Sequence, residues 1–340
     1  MNEITEKRIK APKITDLTKE DRYRRENAKY AVQILNYNIW FNYNIAKEFF
    51  KEFDVAYLQA YNYFQNPENN AEVRPLNFFL SGDMNTGKTT LVTKYINYCE
   101  LIAKEEGREY SKYDIMYFET PVRVTFKQMF SSLLGTKFGL PIKGSALRNI
   151  HTNTLIDNIV EELRENKVKL LFIDEIQNLL EADLEDKKAI FNGLKKLTNQ
   201  SQTRMILVGT PTAIKLFKGS DWVMERYRIL KLPRWKENKE YLDLLVAIYQ
   251  AYGDFFPNWD LVDSNMKINK DVGHFLYELS EGRLGKLIQI IRYGGVNALL
   301  NGRKNITKED YNSVFRVNYS VEDGDIKQKS KTNNNLSKGK

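Results

Sequence analysis

Apolar residues follow two rhythms along this chain. Five short runs are mostly apolar: Asn77–Ser81 (NFFLS), Asp114–Glu119 (DIMYFE), Lys169–Ile173 (KLLFI), Arg204–Gly209 (RMILVG) and Tyr227–Leu232 (YRILKL). Runs of this length and composition predict strands buried on both faces. Helical patterns separate the first four, as in Thr89–Lys104 and Lys188–Leu197, where Ile190, Phe191, Leu194 and Leu197 share one face. Strands alternating with helices predict an α/β domain, a parallel five-stranded sheet flanked by helices.

On either side of this alternation the pattern is helical. From Arg22 to about Gln65, aromatic residues recur mostly at spacings of three and four: Tyr37, Trp40, Phe41, Tyr43, Phe49, Phe50, Phe53, Tyr57, Tyr61 and Phe64. They predict packed helix faces. The segment NPENNAEVRP, with Pro67, Asn69, Asn70 and Pro75, ends that run. Beyond Lys236, helical periodicity returns in Glu240–Tyr252, Val272–Leu279, Gly285–Leu300 and Lys308–Phe315. The expected organisation is a flexible arm (1–21), a nucleotide-binding α/β domain with an N-terminal helical segment (22–235), a small helical lid (236–320) and a disordered basic tail (321–340). The stretch 327–340 has five lysines and no acid, a composition that cannot bury a core.

Composition narrows the class of function. An apolar share of 42% and a charged share of 28% over 340 residues belong to a globular protein. No apolar stretch is long enough to span a bilayer, and MNEITEKRIK lacks the apolar core of a signal peptide, so a cytoplasmic protein with no membrane partner is expected. The lone Cys99 excludes an internal disulfide framework, and His151 and His274 do not form a Cys/His metal cluster. The net charge of +8 fits either a nucleic-acid partner or a solvated lysine-rich surface, and charge alone does not separate the two.

The chemistry is concentrated in two motifs. Gly82-Asp83-Met84-Asn85-Thr86-Gly87-Lys88-Thr89, with Thr90 next, fits the P-loop pattern between an apolar strand and a helix. Its backbone N–H groups would curl around phosphates, Lys88 would bridge the β- and γ-phosphates, and the Thr89 hydroxyl would hold Mg²⁺ at a helix N-terminus. The run Leu170–Ile173 leads into Asp174 and Glu175, so a buried strand presents two carboxylates at its C-terminal end. Asp174 would hold Mg²⁺ through water, and Glu175 would orient the water that attacks ATP. Thr210 either reaches the γ-phosphate from the neighbouring strand or simply opens the Pro211 turn. Arg226 and Arg228, read as lying just before the last strand, are each either a finger for a neighbouring subunit's nucleotide or ordinary surface arginines.

Together these pieces resemble an AAA+ ATPase and, more specifically, the TniB/TnsC family of bacterial transposition ATPases. The similar stretches are IWFNYNIAKEFFKEF, RPLNFFLSGDMNTGKTTL, DIMYFETP, LLFIDEIQNLL, FNGLKKL, ILVGTPTAI, ERYRILKLPRW and LSEGRLGKL. The resemblance implies an ATP- and Mg²⁺-dependent assembly, ring or helical filament, on double-stranded DNA. It implies further contacts with a target-selection protein and a transposase. It makes Thr210 a first sensor and Arg226 the finger. The second sensor, in Gly282-Arg283-Leu284-Gly285-Lys286, is Arg283, Lys286 or absent. Arg123, Thr125 and Lys127, with Lys137 and Lys143, become candidate DNA-phosphate contacts; an ordinary surface helix is the alternative. A helicase loader or replication initiator with the same core, or a nucleotide-switched signalling scaffold, are the competing functions.

Overall fold

The computed structural model describes residues 19–36, 43–70, 74–142, 144–217 and 225–316. Tyr37, Trp40, Phe41, Lys143, most of the expected arm and all of the expected tail lie outside them. The chain divides into two compact units, one of Ile39–Leu244 with Ser280–Leu287 and one of Met1–Asn38, Leu245–Leu279 and Ile288–Lys340.

The elements follow in chain order as α1 (Lys19–Asn36), α2 (Asn44–Gln65), β1 (Asn77–Gly82), α3 (Lys88–Glu105), β2 (Ile115–Glu119), α4 (Phe126–Phe138), α5 (Gly144–Asn149), α6 (Thr152–Glu165), β3 (Leu170–Asp174) and α7 (Leu184–Ser201). Then come β4 (Arg204–Gly209), β5 (Tyr227–Leu232), α8 (Lys239–Tyr252), α9 (Lys270–Ser280), α10 (Leu284–Leu300) and α11 (Lys308–Arg316). Among the described residues, the helical pattern expected over residues 22–65 is carried by α1 and α2.

The larger unit is built on a five-stranded parallel sheet in the order β2-β3-β4-β1-β5. Successive strand residues point to opposite faces, and both faces are covered. Phe78, Leu80, Phe172, Ile206 and Val208 pack with Phe53 and Tyr57 of α2 and Leu91 and Tyr95 of α3. Phe79, Leu171, Ile173 and Leu207 pack on the other face with α4, α6 and α7. Inner strands are therefore buried at every position, whereas β5, at the edge, alternates. Arg228 is a correction that follows from this edge. It lies within β5, not before it, on an exposed position where it pairs with Glu52 at 2.9 Å.

Polar groups brace the end of the sheet where strands begin. Asp114, expected to open β2, lies just ahead of it, because its buried carboxylate pairs with Lys169 at 2.6 Å and accepts from Tyr57 Oη at 3.0 Å. Arg204 is buried and donates to Gln59 Oε1 of α2 at 2.9 Å, and burial pulls its pKa down to about 10.

The smaller unit is helical. Its core contains Tyr252, Phe256, Trp259, Leu276, Ile290 and Tyr311, and Trp259 Nε1 donates to Tyr311 Oη at 2.7 Å. Buried Asp310 is held by both Nη atoms of Arg303 and by the Thr307 backbone N–H.

Candidate functional site

In a parallel sheet every strand ends at the same edge, and ligands bind where the strand order reverses. Here that place is β1, whose chain connection crosses β4 and β3 to reach β2 while β5 lies on its other side. The loop from Gly82 to Gly87 leaves β1 at this edge and runs into α3. Gly87 is left-handed, φ 96°, a conformation that suits glycine. A Cβ on Gly82 would stand 2.9 Å from Thr86 Oγ1 and 3.0 Å from the Leu232 carbonyl, so that close approach also requires glycine. Thr86 Oγ1 donates to the Asp83 carbonyl at 2.8 Å and closes the loop. Met84, Asn85, Thr89 and Thr90 are exposed.

The charged groups converge. Lys88 is buried, and its Nζ donates to the Gly82 and Asp83 carbonyls at 2.8 and 2.9 Å. Burial lowers its pKa, opposed by the charges of Asp174, Glu175 and Asp83. Asp174 is fully buried at the end of β3. Its Oδ2 accepts from Thr89 Oγ1 and from Tyr117 Oη, both at 2.8 Å, and its Oδ1 from the Glu175 N–H at 2.7 Å. Burial first, then the Asp174 charge, pushes the Tyr117 phenol well above its ordinary range. A buried ammonium bonded only to neutral carbonyls, a helix N-terminus, and a hydroxyl beside a carboxylate form a donor set that fits a phosphate chain with a small divalent cation.

Glu175 also adopts a left-handed backbone, φ 56°, and opens a 3-10 turn, Ile176–Glu181. Gln177 on that turn donates to Glu175 Oε2 and accepts from the Thr210 N–H at 3.1 Å. The Thr210 hydroxyl bonds Thr212 Oγ1 at 2.7 Å. Gln177 and Tyr117 lie in the quoted stretches LLFIDEIQNLL and DIMYFETP but were not singled out there, since their contacts depend on which strands are neighbours.

A second group of charges meets the P-loop from the far end of the unit's sequence. The Gly285 N–H donates to the Asn85 carbonyl at 2.7 Å. Arg234, just past β5, pairs with Asp83 at 2.5 Å and with Glu281 at 3.5 Å. Glu281 also binds both second-sensor candidates, Arg283 and Lys286, each at 2.7 Å, and the Lys286 contact first among these holds its carboxyl below the usual range. Arg234 was legible only as part of the LPRW run. Beside it a cavity of 220 Å³ is lined by Tyr43, Ile45, Leu232, Pro233, Arg234 and Trp235, with the Tyr43 and Trp235 ring centroids 5.3 Å apart.

Other candidates lie elsewhere. Arg226 immediately precedes β5, whose first residue pairs with Asn77 at the start of β1. β5 then runs six residues to Leu232 beside Gly82, about 20 Å of strand at ~3.3 Å per residue. Arg226 is thus at the opposite edge of the sheet from its own P-loop, where it donates to Asn199 Oδ1. Arg123 is exposed next to Val122 on the loop after β2. Thr125 caps α4 by accepting from the Gln128 N–H at 3.3 Å, Lys127 donates to the Arg148 carbonyl at 2.5 Å, and Lys137 is half-buried, which lowers its pKa. His151 precedes α6, and His274 lies 3.5 Å from Glu278 in the helical unit.

Comparison with known proteins agrees with this architecture. Residues 32–237 match the family described as bacterial TniB protein. No curated protein matches the chain. Among solved structures, the ORC1 protein of Aeropyrum pernix in complex with DNA superposes with a TM-score of 0.54 at 15% identity, over 88% of this chain and 65% of that one. The ORC2 protein of the same organism, in ADPNP–ADP complexes, gives 0.51 at 17% identity, over 79% and 69%. Cdc6p from Pyrobaculum aerophilum gives 0.51 at 15% identity, over 80% and 66%. At these identities the likeness is one of fold, and the fold is that of AAA+ ATPases.

Proposed function

This chain belongs to the TniB family, and from that premise we propose that it is an AAA+ ATPase that assembles on double-stranded DNA in the presence of ATP and links target selection to a transposase. The observation that carries the reading is the convergence of Lys88, Thr89 and Asp174 on one P-loop in a chain of this family. The loop's backbone N–H groups would take the phosphates, and Lys88 would reach the β- and γ-phosphates. Thr89 and Asp174 would hold Mg²⁺, which when bound would offset the charge that develops on the phosphate oxygens. The base would enter the cavity lined by Tyr43, Leu232 and Trp235. Glu175 accepts the proton of the water that attacks the γ-phosphorus, and ADP and phosphate leave. Arg226 completes a neighbouring subunit's site.

DNA is held through its phosphates, with little sequence preference. Arg123 leads these contacts because it is exposed at the sheet edge beyond β2; Thr125, Lys127 and Lys137 support it, and Lys143 lies outside the described residues. A replication initiator would share the fold, but the family match favours transposition. Electron microscopy of the protein on long double-stranded DNA, with and without a non-hydrolysable ATP analogue, tests the reading. Rings or filaments are expected only with the analogue, and none with Lys88→Ala. DNA that stays bare in every sample refutes assembly on DNA.

A further inference from the structure

Glu175 occupies a backbone conformation that few residues other than glycine adopt. The direction of its carboxylate therefore depends on what holds it. Gln177, two residues on, spans from Glu175 to the end of β4. Its Oε1 accepts the Thr210 N–H at 3.1 Å. A backbone N–H can only donate, so this contact fixes which side of the amide is oxygen. The amide nitrogen then faces the other way and donates to Glu175 Oε2.

Gly209 makes the arrangement possible. A Cβ at that position would stand 2.8 Å from Gln177 Oε1 and 2.7 Å from Ile176 Cγ2. The glutamine of the IDEIQ run and the glycine of the VGT run are therefore halves of one fitted contact across β3 and β4.

We propose that Gln177 is a positioning residue for ATP hydrolysis, which ties the carboxylate of Glu175 to the Thr210 turn so that a displacement of that turn re-aims the base. The inference rests on the hydrolysis reading above. The Thr210 turn follows a strand that ends at the phosphate edge, so a γ-phosphate is placed to move it. Gln177 is the side chain that carries such a movement to Glu175.

Two substitutions separate the two ends of the tie. Gln177→Met keeps volume and loses both hydrogen bonds. Gln177→Glu keeps an acceptor for the Thr210 N–H and replaces the donor to Glu175 with a second carboxylate. Both variants are expected to lower kcat at least tenfold with KM for ATP unchanged, and both should bind a fluorescent ATP analogue with wild-type Kd. Hydrogen exchange at the Thr210 amide should speed up in Gln177→Met and stay near wild type in Gln177→Glu. A kcat within twofold of wild type in both variants, while Glu175→Gln abolishes turnover, overturns the role of Gln177 and leaves the hydrolysis reading standing. Wild-type turnover by Glu175→Gln overturns both. Equal losses in kcat and nucleotide binding would make Gln177 merely structural.

Discussion

Lys88 shows what a P-loop lysine costs before phosphate arrives. Its ammonium is buried against two carbonyls, and burial outweighs the nearby carboxylates in setting its pKa, which lies below the ordinary value of 10.5. Between that lowered value and 10.5 the unfolded chain binds more protons at this site than the folded one. Folding stability therefore rises with pH through that window. Phosphate acts in the opposite sense, since it favours the charged ammonium. Affinity for a fluorescent ATP analogue should thus weaken as pH climbs through the folded pKa of Lys88, before 10.5 is reached. Constant affinity up to that pH contradicts it. The residues of this site that stand within a motif, from Gly82 to Thr89 and at Asp174, were legible in the sequence because their spacing along the chain is itself the chemistry. Tyr117 was not, because its hydroxyl meets Asp174 only once β2 lies beside β3.

At the scale of elements, hydrophobic rhythm located all five strands to within a residue or so. Buried inner strands carry an unbroken apolar signature, and the P-loop punctuates the first of them. The run Tyr227–Leu232 already held Arg228 inside the last strand; what local pattern could not show is its pairing with Glu52 of α2, which depends on surroundings. The turn that leads into α10 is another such case. Glu281 and Gly282 both have positive φ, 55° and 68°, and a Cβ on Gly282 would lie 2.2 Å from the Trp235 carbonyl. The Trp235 N–H in turn donates to the Gly282 carbonyl at 2.7 Å. Gly282→Ala must break this pairing or strain the backbone, at a cost of about 2–3 kcal/mol. Urea denaturation should show the loss, and an unchanged midpoint would mean that the turn relaxes freely. The same variant should also bind nucleotide less well, because Gly285 and the Glu281 charge cluster follow directly from that turn.

For the whole molecule, the telling distance is the one between Arg226 and the P-loop, on opposite edges of one sheet. If Arg226 is the finger proposed above, it can serve only another subunit. Mixing two inactive variants tests this. Arg226→Ala subunits keep an intact P-loop and Glu175, and Glu175→Gln subunits keep an intact Arg226. Mixed assemblies should recover part of the hydrolysis that neither variant shows alone, and a mixture as inactive as its components would rule out sharing between subunits. The separation was already legible in the sequence, since a parallel sheet sends a loop that follows its first strand and an arginine that precedes its last to different edges, as the pairing of β1 with β5 does here.

That separation gives an assembly a direction. Subunits that offer an arginine from one edge and receive one at the other join head to tail, and such contacts close a ring or run on as a helix. A closed ring has as many completed sites as subunits. An open chain has one fewer, because the subunit at one end holds nucleotide with no neighbour to complete its site. The two ends of such a chain then age differently: hydrolysis empties the body, while the terminal subunit at one end alone keeps its ATP.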